Sequence, residues 1–196
     1  GLDRALDAIR HANMGGVAKY GGMVLAVGDD ATGKSSTLAY QSEQTLIAAG
    51  VPFFYPRSIH DIIPMGLQAF ALSRLAGCCV GMKIVVDTAD TSSIIDLDQI
   101  RPEITAKHEP GPVHIGRHDP ALVREDRLFN LRLPAVRRFQ KAHNINSIIG
   151  SQPAIGKLGI MTVGKTTYEV NDALDSLGID DPAKAGIGLF SVVMPW

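Results

Sequence analysis

The stretch Gly22-Met-Val-Leu-Ala-Val-Gly-Asp-Asp-Ala-Thr-Gly-Lys-Ser-Ser36 constrains this chain most. Met23 to Val27 is a continuous apolar run of strand length, Gly28 to Ser36 is a turn of small and polar residues, and the chain from Thr37 reads as a helix carrying Leu38, Leu46 and Ile47. Strand, polar loop and helix start form the layout of a ligand site in an open α/β sheet, because the loop lies at the carboxyl end of the strand. Gly28, Gly33, Lys34 and Ser35 also satisfy the pattern of a phosphate-binding loop, with Lys34 for the β/γ-phosphates, Ser35 for Mg²⁺ and Asp87, at the end of Lys83-Ile-Val-Val-Asp87, as a second acidic group. Electrostatics oppose this reading. Asp29 and Asp30 sit where the phosphates would lie, and each carboxylate–phosphate pair is repelled by roughly 1 kcal/mol or more even when well screened.

The rest of the chain repeats the α/β pattern. Leu2 to Ala12 has a helical period, with apolar residues at 2, 5, 6 and 9. Val51 to Tyr55 and Val80 to Val86 are further apolar runs. Between them a helix is expected from near Ile59 to Gly77, capped by Ser58 and interrupted or kinked early by Pro64. Near-continuous apolar strands alternating with helices predict a parallel sheet covered on both faces. Arg101 to Pro120, with four prolines, reads as a linker. His108, His114 and His118 lie in it, but prolines and glycines oppose the helix that a His-x-x-x-His metal pair would need, so no metal site is assigned. Asp119 is expected to cap a polar helix through Leu131 that restarts after Pro134. Its basic residues Arg124, Arg127, Arg132, Arg137, Arg138 and Lys141 read as a solvated face. Asn144 to Gly156 is a second linker. Leu158 to Val163, Thr166 to Leu177 and Gly188 to Met194 then form a strand–helix–strand unit.

A net charge of −1 provides no footprint for nucleic acid or an anionic membrane, and no apolar run is long enough to span a bilayer. The two cysteines, Cys78 and Cys79, are adjacent. They suit neither a disulfide framework nor a metal site, and the chain lacks the clusters that an iron–sulfur centre needs. These features lead to the expectation of a cytoplasmic protein.

The segment Gly28-Asp-Asp-Ala-Thr-Gly-Lys-Ser-Ser-Thr-Leu-Ala-Tyr-Gln-Ser-Glu43 resembles the G-D-D-x(4)-S-S-x(4)-Q-[SN]-E segment of indolepyruvate ferredoxin oxidoreductases, which are thiamine-diphosphate-dependent 2-oxoacid:ferredoxin oxidoreductases. Further stretches resemble the same family in the same order: His11-Ala-Asn13 with Gly15-Gly16, Ala71 to Gly77, Val80-Gly-Met-Lys83, Leu158 to Lys165, Asp172 to Ile179 and Met194-Pro-Trp196. Gly33-Lys34 departs from the family pattern, and that departure creates the phosphate-loop match.

The resemblance implies an α/β fold in which residues 1–105 are part of a pyrimidine-binding-type domain with a parallel sheet flanked by helices. Residues 106–156 would be a linker and connecting helix, and residues 157–196 the start of a transketolase C-terminal-like α/β domain. It implies an internal fragment of a longer enzyme, inactive by itself. The parent would decarboxylate an aryl 2-oxoacid oxidatively to the acyl-CoA with ferredoxin as electron acceptor, using thiamine diphosphate, Mg²⁺ and iron–sulfur clusters held elsewhere. Its partners would be the remaining domains, ferredoxin, coenzyme A and a second copy. His11 and Asn13 match the place of a polar side chain near the substrate's carbonyl or carboxylate, where a His can stabilise a developing oxyanion; a His at a helix C-terminus, favoured by the dipole, is the alternative. Asp29, Asp30, Lys34, Ser35, Ser36, Gln41 and Glu43 would shape the active-site edge and the contact over the cofactor, or serve only to turn the chain, with Ser36 capping the helix. A phosphate-loop NTPase and a non-catalytic assembly module remain the alternative functions.

Overall fold

A computed structural model describes residues 1–100, 102, 104, 111–116, 118–153 and 155–196. His108 and Pro110 of the first expected linker lie outside the described residues. Helix α1 (Leu2–Gly15) leads into β1 (Val24–Asp29), followed by α2 (Glu43–Ala48), β2 (Phe53–Phe54), α3 (Ile62–Ala76), β3 (Val80–Val85) and the single turn α4 (Val86–Ala89). The three strands form a parallel sheet in the order β1-β3-β2, with Val24 opposite Val80 and Asp29 opposite Val85.

Strand residues alternate between two apolar layers, as the two-residue period of a strand demands. Phe53 and Cys79 face one layer, completed by Val27, Leu46 and Val51, against which Leu2, Leu6 and Ile9 of α1 pack. Phe54 and Val80 face the other, with Leu72 and Leu75 of α3 and with Val136 and Phe139 from further along the chain. The sheet is therefore covered on both faces, as the apolar strands predict.

Helix α5 (Ala121–Arg127) passes through a π-helical turn (Leu128–Arg132) into α6 (Leu133–Ala142). The expected break at Pro134 is absent. The wide turn carries the chain past a residue that has no N–H to donate. Asp119 does not cap α5; Pro120 holds that position, and Asp119 accepts a hydrogen bond from Arg127 instead. Pro64 sits in the first turn of α3 without breaking it, because N–H groups there have no intrahelical partner in any case. Ser58 makes no cap; Asp61 accepts from the Arg57 backbone N–H and from its guanidinium.

A second sheet has the order β4-β6-β5, from β4 (Ser147–Ile149), β5 (Leu158–Val163) and β6 (Ile187–Val192), with α7 (Thr166–Ser176) between the last two in sequence. β5 and β6 are parallel as expected, while β4 adds antiparallel to β6 in a stretch read from sequence as linker. Three residues with no strong apolar run carry little local signal; their strand state is decided by the edge of β6. Beyond β6, Val193 and Met194 enter the α3–α6 layer of the first sheet. The Tyr55 N–H donates to the Val193 carbonyl, and Gln140 and Asn146 donate to that of Met194. Among the described residues no helix is long and apolar enough to cross a membrane.

Gly77 ends α3 in the left-handed conformation, at φ +74. A Cβ there would overlap the Val113 carbonyl, while the Gly77 carbonyl accepts from the Val17 N–H. Gly77→Ala combines backbone strain with a clash against main chain. It is expected to lower unfolding free energy by at least about 1–3 kcal/mol, read by urea denaturation.

Candidate functional site at the carboxyl edge of the first sheet

The parallel strands β1 and β3 end side by side, and Asp29, Asp30, Lys34, Glu43, Lys83 and Asp87 gather at that edge. Lys83 is the penultimate inward position of β3, opposite Val27 in register. It is 2 % exposed. A buried ammonium requires anionic partners, and two are present. Lys83 Nζ lies 3.0 Å from Asp29 Oδ2 and donates to Glu43 Oε1. It also sits over the Tyr55 ring, 4.3 Å from the centroid. Burial pulls the Lys83 pKa down, but the hydrogen bonds to Glu43 and Asp29 outweigh it, so the ammonium is held above its ordinary range. Asp29 Oδ2 further accepts from the backbone N–H and the hydroxyl of Ser42, the residue before α2. Among the described residues Asp29 Oδ1 and Glu43 Oε2 are buried without a hydrogen-bond partner.

The loop after β1 is organised by Asp30. Its Oδ1 accepts from the Lys34 N–H at 2.9 Å, and its Oδ2 from those of Ser35 and Ser36 at 2.7 and 2.8 Å. The Asp30 carbonyl accepts from the N–H groups of Gly33 and Tyr40. Hence no helix starts at Thr37. α2 begins only at Glu43, Leu38 is exposed, and Ser36 has no helix to cap. The phosphate-loop reading is corrected on the same ground. Its anion seat is a row of free N–H groups at a helix start; here Asp30 fills the row, and the helix start lies further along the chain.

The Ser35 N–H contributes most to stabilising the Asp30 carboxylate. Burial opposes it, the Lys34 and Ser36 groups add to it, and the pKa falls from 3.8 to about 2. A carboxyl whose folded-state pKa is depressed contributes stability that is complete above its unfolded value and is lost as pH falls through the folded one. Asp30→Asn is therefore expected to flatten the acid limb of stability between pH 3.8 and about 2. Denaturant midpoints across that range measure it; an unchanged limb would show that Asp30 does not hold the loop.

At the outer side of the edge, Lys34 donates to Asp87, whose other oxygen lies 3.7 Å from Lys165 Nζ. Lys165 in turn pairs with Glu169 of α7. The Lys34 hydrogen bond holds the Asp87 pKa down, burial opposing it and Lys165 adding to it. The loop after β1, the end of β3 and the β5–α7 turn are thus joined by charge.

The fold brings together Asp29, Asp30, Lys34, Ser35, Ser36 and Glu43 at this edge; Gln41 lies in the same loop with its side chain exposed. His11 and Asn13 are on α1. Asn13 is fully buried; its amide donates to the carbonyls of Ala49 and Gly50 and accepts from the Cys79 N–H. It clamps α1 to the sheet and is closed to solvent. His11 is exposed and donates from Nδ1 to the Asp7 carbonyl, as a His near a helix C-terminus does. Residues missed from sequence are Lys83 as a buried cation, Tyr55 beneath it, Ser42 and Lys165. The signal for Lys83 was present: a lysine inside Val80-Gly-Met-Lys-Ile-Val-Val86 must be buried and therefore paired.

No family model and no curated protein matches the sequence. Among solved structures, the chain is similar to the 2-oxoglutarate:ferredoxin oxidoreductase from Magnetococcus marinus, determined with 2-oxoglutarate, coenzyme A and succinyl-CoA bound. The TM-score is 0.56 and the sequence identity 15%, over 100% of this chain and 44% of that one. The chain spans less than half the length of that protein, and at this identity what the two share is the fold: a parallel α/β sheet covered by helices.

Proposed function

We propose that this chain is part of a thiamine-diphosphate-dependent 2-oxoacid:ferredoxin oxidoreductase that acts on an aryl 2-oxoacid such as indolepyruvate. The observation that carries this reading is the buried union of Asp29, Ser42 and Glu43 with Lys83. These residues come from two separate stretches that resemble the family, and Lys165, from a third, reaches the same edge through Asp87. The fold likeness supports the reading independently. In the parent, the 2-oxoacid would lose its carboxylate as CO₂, coenzyme A would take the acyl group, and ferredoxin would take the electrons. The proposal includes a cytoplasmic parent that pairs with a second copy, with this chain forming an architectural part of the cofactor-binding half.

The described residues do not make the cofactor sites themselves. Among the described residues no group of three or more His, Cys, Asp or Glu is placed to hold a metal ion. The loop N–H groups that could take a diphosphate carry Asp30. Burial pushes the Cys78 and Cys79 thiols up to about 12 and about 11, unlike the thiolates that ligate iron. Thiamine diphosphate, Mg²⁺ and iron–sulfur clusters are therefore assigned to other parts of the parent. The role proposed for the edge is to shape the wall on which those parts pack.

The test uses the longer polypeptide that contains this stretch. Reduction of ferredoxin that requires both indolepyruvate and coenzyme A is the expected result, and absence of reduction with every 2-oxoacid tried would overturn the reading. Calorimetric titration of the 196-residue chain with Mg-ATP separates the alternative. No saturable heat is expected, whereas micromolar binding abolished by Lys34→Ala would make the Gly28–Ser36 loop a nucleotide site.

A further inference from the structure

Between α1 and α5, away from the charged edge, lies a cavity of about 500 Å³. That is within the range of roughly 300–1,000 Å³ typical of small-molecule sites. Its lining has an unusual balance. Met14 and Leu122 present apolar surface, and Leu122 is 77 % exposed. Arg10 and Arg124 line the same space. Among the described residues neither side chain makes a hydrogen bond or a salt bridge, although Arg124 is near enough to Asp119 to help lower its pKa, and Arg124 Nε is buried with no acceptor. A desolvated guanidinium N–H without an acceptor is costly, more so than a neutral donor. His11 adds a further nitrogen, since its Nδ1 is committed to the Asp7 carbonyl and its Nε2 is not.

Two carboxylates also line the cavity, and they set the charge. Asp119 is held by the Arg127 guanidinium, which anchors it from the α5 side. Glu125 is the other. The charged lining residues, Arg10 and Arg124 against Asp119 and Glu125, balance, but Asp119 is already matched by Arg127 from outside the lining, so the two guanidinium groups face Glu125 alone beside an apolar surface. Guanidinium groups recognise carboxylates through paired N–H donors, and exposed Leu122 with half-buried Met14 favours a hydrocarbon tail.

We propose that this α1–α5 cavity binds an amphipathic carboxylate with a short alkyl tail, its head on Arg10 and Arg124 and its tail on Met14 and Leu122. The site is separate from the Asp29–Lys83 edge and does not depend on the function proposed above. Octanoate, below its micelle concentration, is the probe, with 1-octanol and octylamine as controls that keep the tail and change the head.

Titration of the 196-residue chain by calorimetry, with amide NMR shifts to locate the site, should give one saturable octanoate site with shifts centred on α1 and α5. The alcohol and the amine should bind at least about tenfold more weakly. Arg124→Gln and Arg10→Gln keep good helix formers at surface positions. Each should weaken octanoate by about tenfold at unchanged melting temperature, and Leu122→Ser should weaken octanoate and octanol alike. Equal binding of octanoate and octanol, binding unchanged in both arginine variants, shifts centred elsewhere, or no saturable binding at millimolar octanoate would each overturn the proposal.

Discussion

Lys83→Met is expected to destabilise the fold by about 3–5 kcal/mol at neutral pH, the range for removing one partner of a buried ion pair and leaving the other charged. Methionine preserves much of the length and the apolar stem, so the loss isolates the charge. Asp29, whose side chain is wholly buried, and Glu43 would then face each other with no cation between them. Two further measurements separate this cause from simple misfit. Acidification should shrink the difference from wild type, because neutral carboxyls no longer need the ammonium. Adding Asp29→Asn and Glu43→Gln to Lys83→Met should recover most of the loss, since a buried charge cluster is often replaceable by neutral groups of similar shape. A loss below about 1 kcal/mol, within the range of an exposed pair, would show that water reaches the cluster and that it does not organise the edge.

Arg132→Met is expected to have an effect of similar size for a different reason. Arg132 is fully buried, and among the described residues it makes no salt bridge to a carboxylate. Its guanidinium instead donates to four carbonyls: Nε to Val113 at 2.6 Å, Nη1 to Asn13 and Met14 at 2.9 and 3.0 Å, and Nη2 to Gly15 at 3.1 Å. Three of these end α1, where unpaired carbonyls and the negative end of the helix dipole both favour a cation. Burial lowers the Arg132 pKa from its ordinary value, so the cost of desolvating the charge is borne by those dipoles. Removing the guanidinium strands several buried acceptors at about 1–3 kcal/mol each, partly relieved by local relaxation, for a net loss of about 3–5 kcal/mol in denaturant unfolding. Arg132→Lys should rescue little of it, because a point-like ammonium cannot fork to four carbonyls. Faster hydrogen exchange at the end of α1 in either variant would locate the damage, and full stability in Arg132→Lys would contradict this account.

The two lysine and arginine cases show where sequence reading stops. Arg132 lies on a segment whose alternating charges suggest a solvated face, yet it and Arg127 are buried. Nothing within a helical turn of Arg132 announces this, since its acceptors are as far as 119 residues away in the chain. Lys83 announced its burial by its apolar neighbours, but not its partners; Glu43 is 40 residues distant. Asp30 illustrates a local error. Thr37 to Ser42 has acceptable helix residues, but a carboxylate that captures three successive N–H groups holds the chain in a loop until Ser42. Asp and its kind compete with helices in this way.

The apolar runs of β1, β3, β5 and β6 and the periodic patterns of α1, α3 and α7 were determined by the sequence alone, and with them the α/β class, because burial of one face or both imposes a period that neighbouring residues display. The sequence also placed Asp29, Asp30 and Lys34 at a strand's carboxyl end. Only the tertiary structure decided that Asp30 closes the loop on itself, that Ser147–Ile149 becomes a strand, and that Lys83 and Arg132 are satisfied. The physical reason is range. Periodicity is set by contacts a few residues apart, whereas a buried charge or an edge strand is decided by partners that only the folded chain brings within hydrogen-bond distance.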